Sequence, residues 1–165
     1  VIPPPRYIAV VGPGDDAPRA AVRDAEAVGR LIAARGWVTL CGGRSIGVMA
    51  AAARGAAAGN GTSIGLLPGG DRRDAAPELS LALATGLGEA RNAVLVCAAD
   101  ALVVCGINPG TASEIALAIK AGKPVALTSP EPATASFFLA LAARSPLLVA
   151  QSPEGAIEWI STRMT

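Results

Sequence analysis

The chain of 165 residues contains no histidine. That absence removes every Ser–His and Cys–His nucleophile pair and the commonest metal ligand. Acid–base chemistry is left to Asp, Glu, Lys, Tyr and Cys. Aromatic residues make up 3% of the chain, too few for a platform on which bases stack, and a net charge of +1 gives no basic footprint. No nucleic-acid partner is expected. Cysteine is scarce too. Cys41, Cys97 and Cys105 are odd in number, widely spaced and set in apolar runs, without a C-x-x-C. Buried, reduced thiols are expected, and no metal site or disulfide. No apolar stretch reaches spanning length without Gly, Pro or a charge, so no membrane span is expected. The opening VIPPPR lacks the basic-then-apolar order of a secretion signal, which leaves a cytoplasmic location as the default. It is expected either to cap the domain edge or to be disordered.

What remains is apolar: 52% hydrophobic residues against 16% charged. Most elements must then bury more than one face, which favours layered α/β architecture over an exposed bundle. Short apolar runs at 7–12, 37–41, 62–67, 79–84, 101–105, 125–128 and 147–150 read as strands. Helical patterns lie between them at 19–35, 49–58, 89–98, from about 111 to 120, 134–144 and 153–163. The alternation predicts a single Rossmann-like, doubly wound domain over residues 1–165, its sheet mostly parallel and helices on both faces. In such sheets ligands bind at the carboxyl ends of the strands, where strand order reverses.

The organising stretch is ALVVCGINPGTASEIALAIK, residues 101–120. A buried strand breaks at Gly106-Ile107-Asn108-Pro109-Gly110, and a helix starts at or near Thr111. Free backbone N–H groups and a positive helix end would face one spot, a natural place for phosphate. The strand ending at Cys41 runs similarly into Gly42-Gly43-Arg44-Ser45-Ile46-Gly47. A third Gly-rich turn follows at 68–70. Known nucleotide fingerprints are missing: Gly12-Pro13-Gly14 continues into two aspartates, and no G-x-x-x-x-G-K-[ST] occurs. Joined at strand ends, the three turns fit a monophosphate or compact polyanion.

The order GGRSIGVM (42–49), IGLLPGG (64–70), TGLGEARN (85–92) and NPGTASE (108–114) resembles the LOG-like (lysine decarboxylase-like) family, nearest its molybdenum-cofactor carrier branch. The resemblance covers about residues 7–128. It implies a Rossmann-like homodimer, or a higher homo-oligomer, that binds a phosphorylated nucleotide-like or molybdopterin-like small molecule and needs no further cofactor. It also implies, as the alternative, a nucleoside 5′-monophosphate phosphoribohydrolase releasing base and ribose 5-phosphate. A nucleotide-sensing module without turnover is the third reading. On the family's pattern Arg91 and Glu114 match the catalytic pair, and Gly110 and Thr111 match the residues before the glutamate. Gly42, Gly43, Gly47, Asn92, Gly110 and Thr111 would form the ligand cradle. Where the family has a glycine pair this chain has Ile107-Asn108, whose side chains crowd a phosphate needing close backbone approach. Asn92 stands where the enzymes tend to have lysine. Both changes weigh against hydrolysis more than against binding.

Each candidate has a plainer reading. Thr111-x-x-Glu114 is also a capping box, with Thr111 as N-cap and Glu114 bonding back to the helix start. Arg91 could be a solvated charge, yet a cation at a helix start is disfavoured by the dipole unless an anion is near. Arg44 could reach over the pocket. Asp71, Arg72, Arg73 and Asp74 read as a solvated loop, and Asp100 as a turn residue. The alanine-rich segment 49–58 belongs either to the core or to a dimer face.

Overall fold

The computed structural model describes residues 5–164, so the expectation for the N-terminal stretch falls largely outside the described residues. Seven strands form one parallel sheet: β1 (Tyr7–Val11), β2 (Val38–Cys41), β3 (Thr62–Leu67), β4 (Leu81–Ala84), β5 (Ala101–Cys105), β6 (Val125–Thr128) and β7 (Leu147–Ala150). Their spatial order is β4-β3-β2-β1-β5-β6-β7. The order reverses between β1 and β5, which pair from Ile8↔Ala101 to Val11↔Val104. The helices are α1 (Arg19–Ala34), α2 (Gly47–Ala58), α3 (Arg91–Ala98), α4 (Pro109–Lys120), α5 (Pro132–Ala142) and α6 (Pro153–Ser161).

Period-2 alternation sends the central strands' side chains to two separate cores. Ile8, Val10, Ala101 and Val103 meet Val28 and Ile32 of α1, Val48 and Ala52 of α2, and Ile157 and Ile160 of α6. Ala9, Val11, Leu102 and Val104 meet Leu95 of α3, Ile115 and Ala118 of α4, and Phe138 of α5. Central strands buried on both faces explain the near-continuous apolar runs read from the sequence. Asp100 does more than turn the chain: its Oδ2 accepts the Tyr7 N–H at 2.8 Å, tying the starts of β5 and β1 together.

The alanine-rich helix belongs to the core. Ala51, Ala52, Ala53 and Ala56 of α2 are fully buried, and α2 lies backbone to backbone on α1. A Cβ on Gly55 would fall 2.0 Å from the Glu26 carbonyl oxygen, and one on Gly29 2.4 Å from that of Ala52. Small side chains serve here because the two helices touch through their main chains.

Two expectations are corrected. Cys97 is exposed, while Cys41 and Cys105 are buried as expected. Cys97 sits on the outer side of the short helix α3, where an apolar run does not guarantee cover. Burial pushes the Cys41 thiol up to about 11 and the Cys105 thiol up to about 12, so both are inert. The second correction concerns α4. It starts at Pro109, with Asn108 as its N-cap, and not at Thr111. Proline suits the first helical position, and an asparagine directly before it caps well. There is consequently no Thr111–Glu114 capping box.

Candidate functional site

The carboxyl ends of β1, β2 and β5 open onto a cavity of about 310 Å³ at the reversal of strand order. Gly12 to Asp16 after β1, Gly42 and Arg44 after β2, and Ile107, Asn108, Gly110 and Thr111 after β5 contribute its walls; Arg91 and Asn92 of α3 and Glu114 of α4 close it. The β1 turn joins because it passes very close to β5. A Cβ on Gly12 would lie 2.2 Å from the Cys105 carbonyl oxygen.

Arg91 and Glu114 converge in this cavity. Arg91 is the first residue of α3, directly after a 3-10 turn at Gly88–Ala90, and Glu114 lies one turn into α4. Arg91 Nη1 stands 3.5 Å from Glu114 Oε1, with side chains 11% and 8% exposed. That separation is longer than a charge-assisted hydrogen bond of about 2.7–2.9 Å, so the pair is held close without being closed. Among the described residues Arg91 Nε is buried and has no hydrogen-bond partner. An unsatisfied buried donor is a cost that folds usually avoid, and Thr39 Oγ1 is the other such atom among the described residues. Burial pushes the Glu114 carboxyl up to about 7; the Arg91 guanidinium pulls it down and Glu89 adds to the rise.

The remaining expected residues divide. Gly42 lines the cavity, and the Arg91 guanidinium lies against its bare face: a Cβ there would sit 3.1 Å from both Nη1 and Nη2. Asn92 is buried, and its Nδ2 donates to Ser113 Oγ at 3.2 Å, which links α3 to α4 beside the pair. Gly110 and Thr111 lie in the wall. Gly43 and Gly47 stand behind it. Gly43, at φ +80°, packs on Gly65, and a Cβ on Gly47 would strike the Gly14 carbonyl oxygen at 2.3 Å. Arg44 lines the cavity and approaches Asp15 at 3.8 Å. The segment from Asp71 to Asp74 is exposed, with Arg73 bonded to Asp71 at 2.7 Å.

Fewer main-chain amides face the cavity than the sequence pattern implies. In the β2 turn, Ser45 N–H donates to Asp74 O, Ile46 N–H to Arg44 O and Val48 N–H to Pro13 O. At α4, Thr111 N–H donates to Asn108 Oδ1 at 2.8 Å. These amides are already bonded within the chain, and much of the polar lining is side chain. The sequence reading placed Ile107 and Asn108 at the pocket, and both line the cavity; it passed over Asp15 and Asp16, Met49 and Glu89, which the fold brings in. The signal for Asp15 and Asp16 was present, since a Gly-Pro-Gly turn ending the first strand of a doubly wound sheet lies at the usual ligand crevice.

The profile of the SLOG cluster4 family matches residues 5–157. The chain belongs to that family. This SLOG cluster4 chain is also similar to an uncharacterized protein of Archaeoglobus fulgidus, with 40% identity over 124 residues, 74% of this chain and 80% of the relative. Among solved structures it is similar to the molybdenum cofactor binding protein of the phototrophic bacterium Rippkaea orientalis: TM-score 0.94, 39% identity, covering 98% of this chain and 99% of that one. The molybdenum cofactor carrier protein of Chlamydomonas reinhardtii follows at TM-score 0.89 and 39% identity, covering 96% and 98%. These likenesses support small-molecule binding by a LOG-like protein. No helix among the described residues is long and apolar enough to cross a membrane.

Proposed function

We propose that this SLOG cluster4 chain binds a phosphorylated pterin-type cofactor, molybdopterin-like in chemistry, in the cavity at the strand-order reversal and holds it without turnover. The observation that carries this reading is the buried, unclosed Arg91–Glu114 pair lining a cavity in a fold like that of molybdenum cofactor carriers. A molybdopterin-like ligand combines a ring rich in N–H donors with anionic groups. A guanidinium and a carboxylate side by side offer a partner to each. In this reading Arg91, Glu114, Gly42, Asn92, Gly110 and Thr111 touch the ligand, and Gly43 and Gly47 hold the β2 turn in shape behind them. A phosphorylated nucleotide could use the same walls, in a sensing module or otherwise.

The hydrolytic reading has one observation in its favour, the same juxtaposition. A glutamate and an arginine 3.5 Å apart could stabilise the oxocarbenium-like charge and the departing group of an N-glycosidic cleavage.

The test is a melting titration of the full chain with a neutral pterin, run beside a nucleoside monophosphate panel assayed for free base. At about 100 times Kd a ligand adds about 2.7 kcal/mol of stability, a shift of roughly 5–10 °C for a chain of this length. Gly42→Ala puts a methyl group 2.6 Å from Met49 Sδ and 3.1 Å from the Arg91 guanidinium, so both must shift within the cavity wall, and it is expected to reduce that shift in melting. Free base released by the wild-type protein and absent in Glu114→Ala would replace the carrier reading by the hydrolase.

We further propose that the chain works as a homodimer. Leu81 and Leu83 on the edge strand β4, Leu87 and Val94 are large apolar side chains between 40% and 55% exposed. Leu81 and Leu83 pair with Ile64 and Leu66 and so share the face that α3 covers, which makes a continuous apolar edge for a second copy. Light scattering should give twice the mass of one chain, and Leu83→Lys should halve it; a single-chain mass at micromolar concentration removes the proposal.

A further inference from the structure

We infer that Asn108 is a specificity-determining residue: its side-chain carboxamide occupies the place at the start of α4 that a ligand phosphate would take, so the cavity seats a heterocycle beside that turn and keeps phosphate out of it. The inference rests on the reading of this cavity as a ligand site.

Asn108 Oδ1 accepts the Thr111 backbone N–H at 2.8 Å and the Thr111 hydroxyl at 2.9 Å. These are the two donors with which a helix start carrying threonine would grip an anion oxygen. The rest of the first turn has little to add. Pro109 has no N–H. Ala112 N–H donates to the Asn108 carbonyl at 2.9 Å in the ordinary helical way. That leaves the Gly110 amide, and one amide is a poor match for a doubly charged group. The glycine pair of the resembling family would leave the Thr111 donors open; Ile107-Asn108 fills them from within the chain.

Charge around the cavity points the same way. Asp15, Asp16, Glu89 and Glu114 line it against Arg44 and Arg91. A neutral ring with N–H groups can bond to those carboxylates, whereas a phosphate close to Glu114 is repelled. Of the two cations Arg44 is the more exposed, at 41% of its side chain against 11% for Arg91, although Asp15 stands 3.8 Å from it. Arg44 also lines the adjoining hollow, of about 460 Å³, together with Arg73, Asp71 and Asp74, where Arg73 is bonded to Asp71. The ligand is thereby oriented, with ring inward and phosphate outward.

The experiment is a titration of the isotope-labelled full chain with inorganic phosphate, followed by the amide resonances of residues 110–112. In the wild-type protein the Thr111 amide is expected to stay still. Asn108→Gly opens the donors and loses only a few tenths of a kcal/mol of capping, so the variant should fold. It is expected to bind phosphate at least about tenfold more tightly, about 1.4 kcal/mol, with Gly110 and Thr111 amides shifting to saturation. Thr111→Val in the Asn108→Gly background should take that gain away. Asn108→Asp keeps the acceptor and should leave the Thr111 amide silent. A saturable shift of Thr111 in the wild-type protein, or no gain in Asn108→Gly, overturns the inference. A neutral pterin titrated in parallel keeps the two readings apart. If it moves neither the Gly12 nor the Asn92 amide while Thr111 stays silent to phosphate, the carrier reading fails and the role of Asn108 stands.

Discussion

Glu114→Gln should make the ligand-free protein more stable above pH 7, and should remove a fall in stability that the wild-type chain shows between about pH 4.5 and 7. The cause is burial. Unfolded, this carboxyl titrates near its ordinary 4.5; folded, desolvation holds the proton on until about 7, even with Arg91 beside it. Between those values the native state binds more protons than the unfolded state. Stability therefore declines as pH rises through the window, and the decline is complete once the folded group has ionised. Two and a half units correspond to about 3 kcal/mol at 1.36 kcal/mol per unit, an order-of-magnitude figure. The amide carries no charge to desolvate, and its carbonyl can still accept from Arg91. Denaturant melts at pH 5 and pH 8 check this: the variant should match the wild type at pH 5 and exceed it by 1–3 kcal/mol, roughly, at pH 8. A wild-type protein whose stability rises over that interval in parallel with the variant would refute the argument. The same substitution should weaken ligand binding, because a group kept for recognition at the expense of stability is the usual condition of a functional site.

The second large effect lies away from the cavity. Gly55→Ala places a methyl group 2.0 Å from the Glu26 carbonyl oxygen, which is main chain and cannot swing aside. Helices α1 and α2 must separate, and overpacking of this kind costs about 3 kcal/mol. For a chain of this length that is a fall in Tm of roughly 6–12 °C. Gly70→Ala is the control, since a Cβ there meets nothing within 4 Å. Its melting point should stay at the wild-type value. A Gly55→Ala protein melting within 2 °C of wild type (about 0.5–1 kcal/mol) would mean that the helix pair is not the tight contact described.

Both effects turn on close approaches, and close approaches are what a one-dimensional pattern conveys least. The apolar runs and their spacing were enough to place β3, β5, β6 and β7 at their observed bounds and to foresee a parallel, doubly wound sheet. Local periodicity carries that information, because a strand buried on two faces has few other compositions open to it. Arg91 and Glu114 were legible as a pair from motif order, and the fold sets them 3.5 Å apart. The turn after β1 was read as a failed dinucleotide fingerprint, although its position at the end of the first strand was itself the sign that it lines the crevice. Gly43 and Gly47 looked the same as Gly42 in sequence, yet only Gly42 presents its face to the cavity.

Short apolar runs alternating with helical patterns, then, were sufficient to dictate layers, strand direction and the end of the sheet where the cavity lies. Contacts between segments far apart in the chain decided the rest: that α2 is core, that Cys97 is exposed, that the Gly12 turn reaches Cys105. The start of α4 shows the reason most clearly. Asn108 and Thr111 can each cap a helix; Pro109 after Asn108 was a local sign in favour of Asn108, which the family motif drew attention away from. With Asn108 as cap the Thr111 amide is taken by its side chain, and the tertiary fold then sets the Glu114 carboxyl, one turn into α4, against Arg91 of α3, a contact between segments that local pattern does not convey.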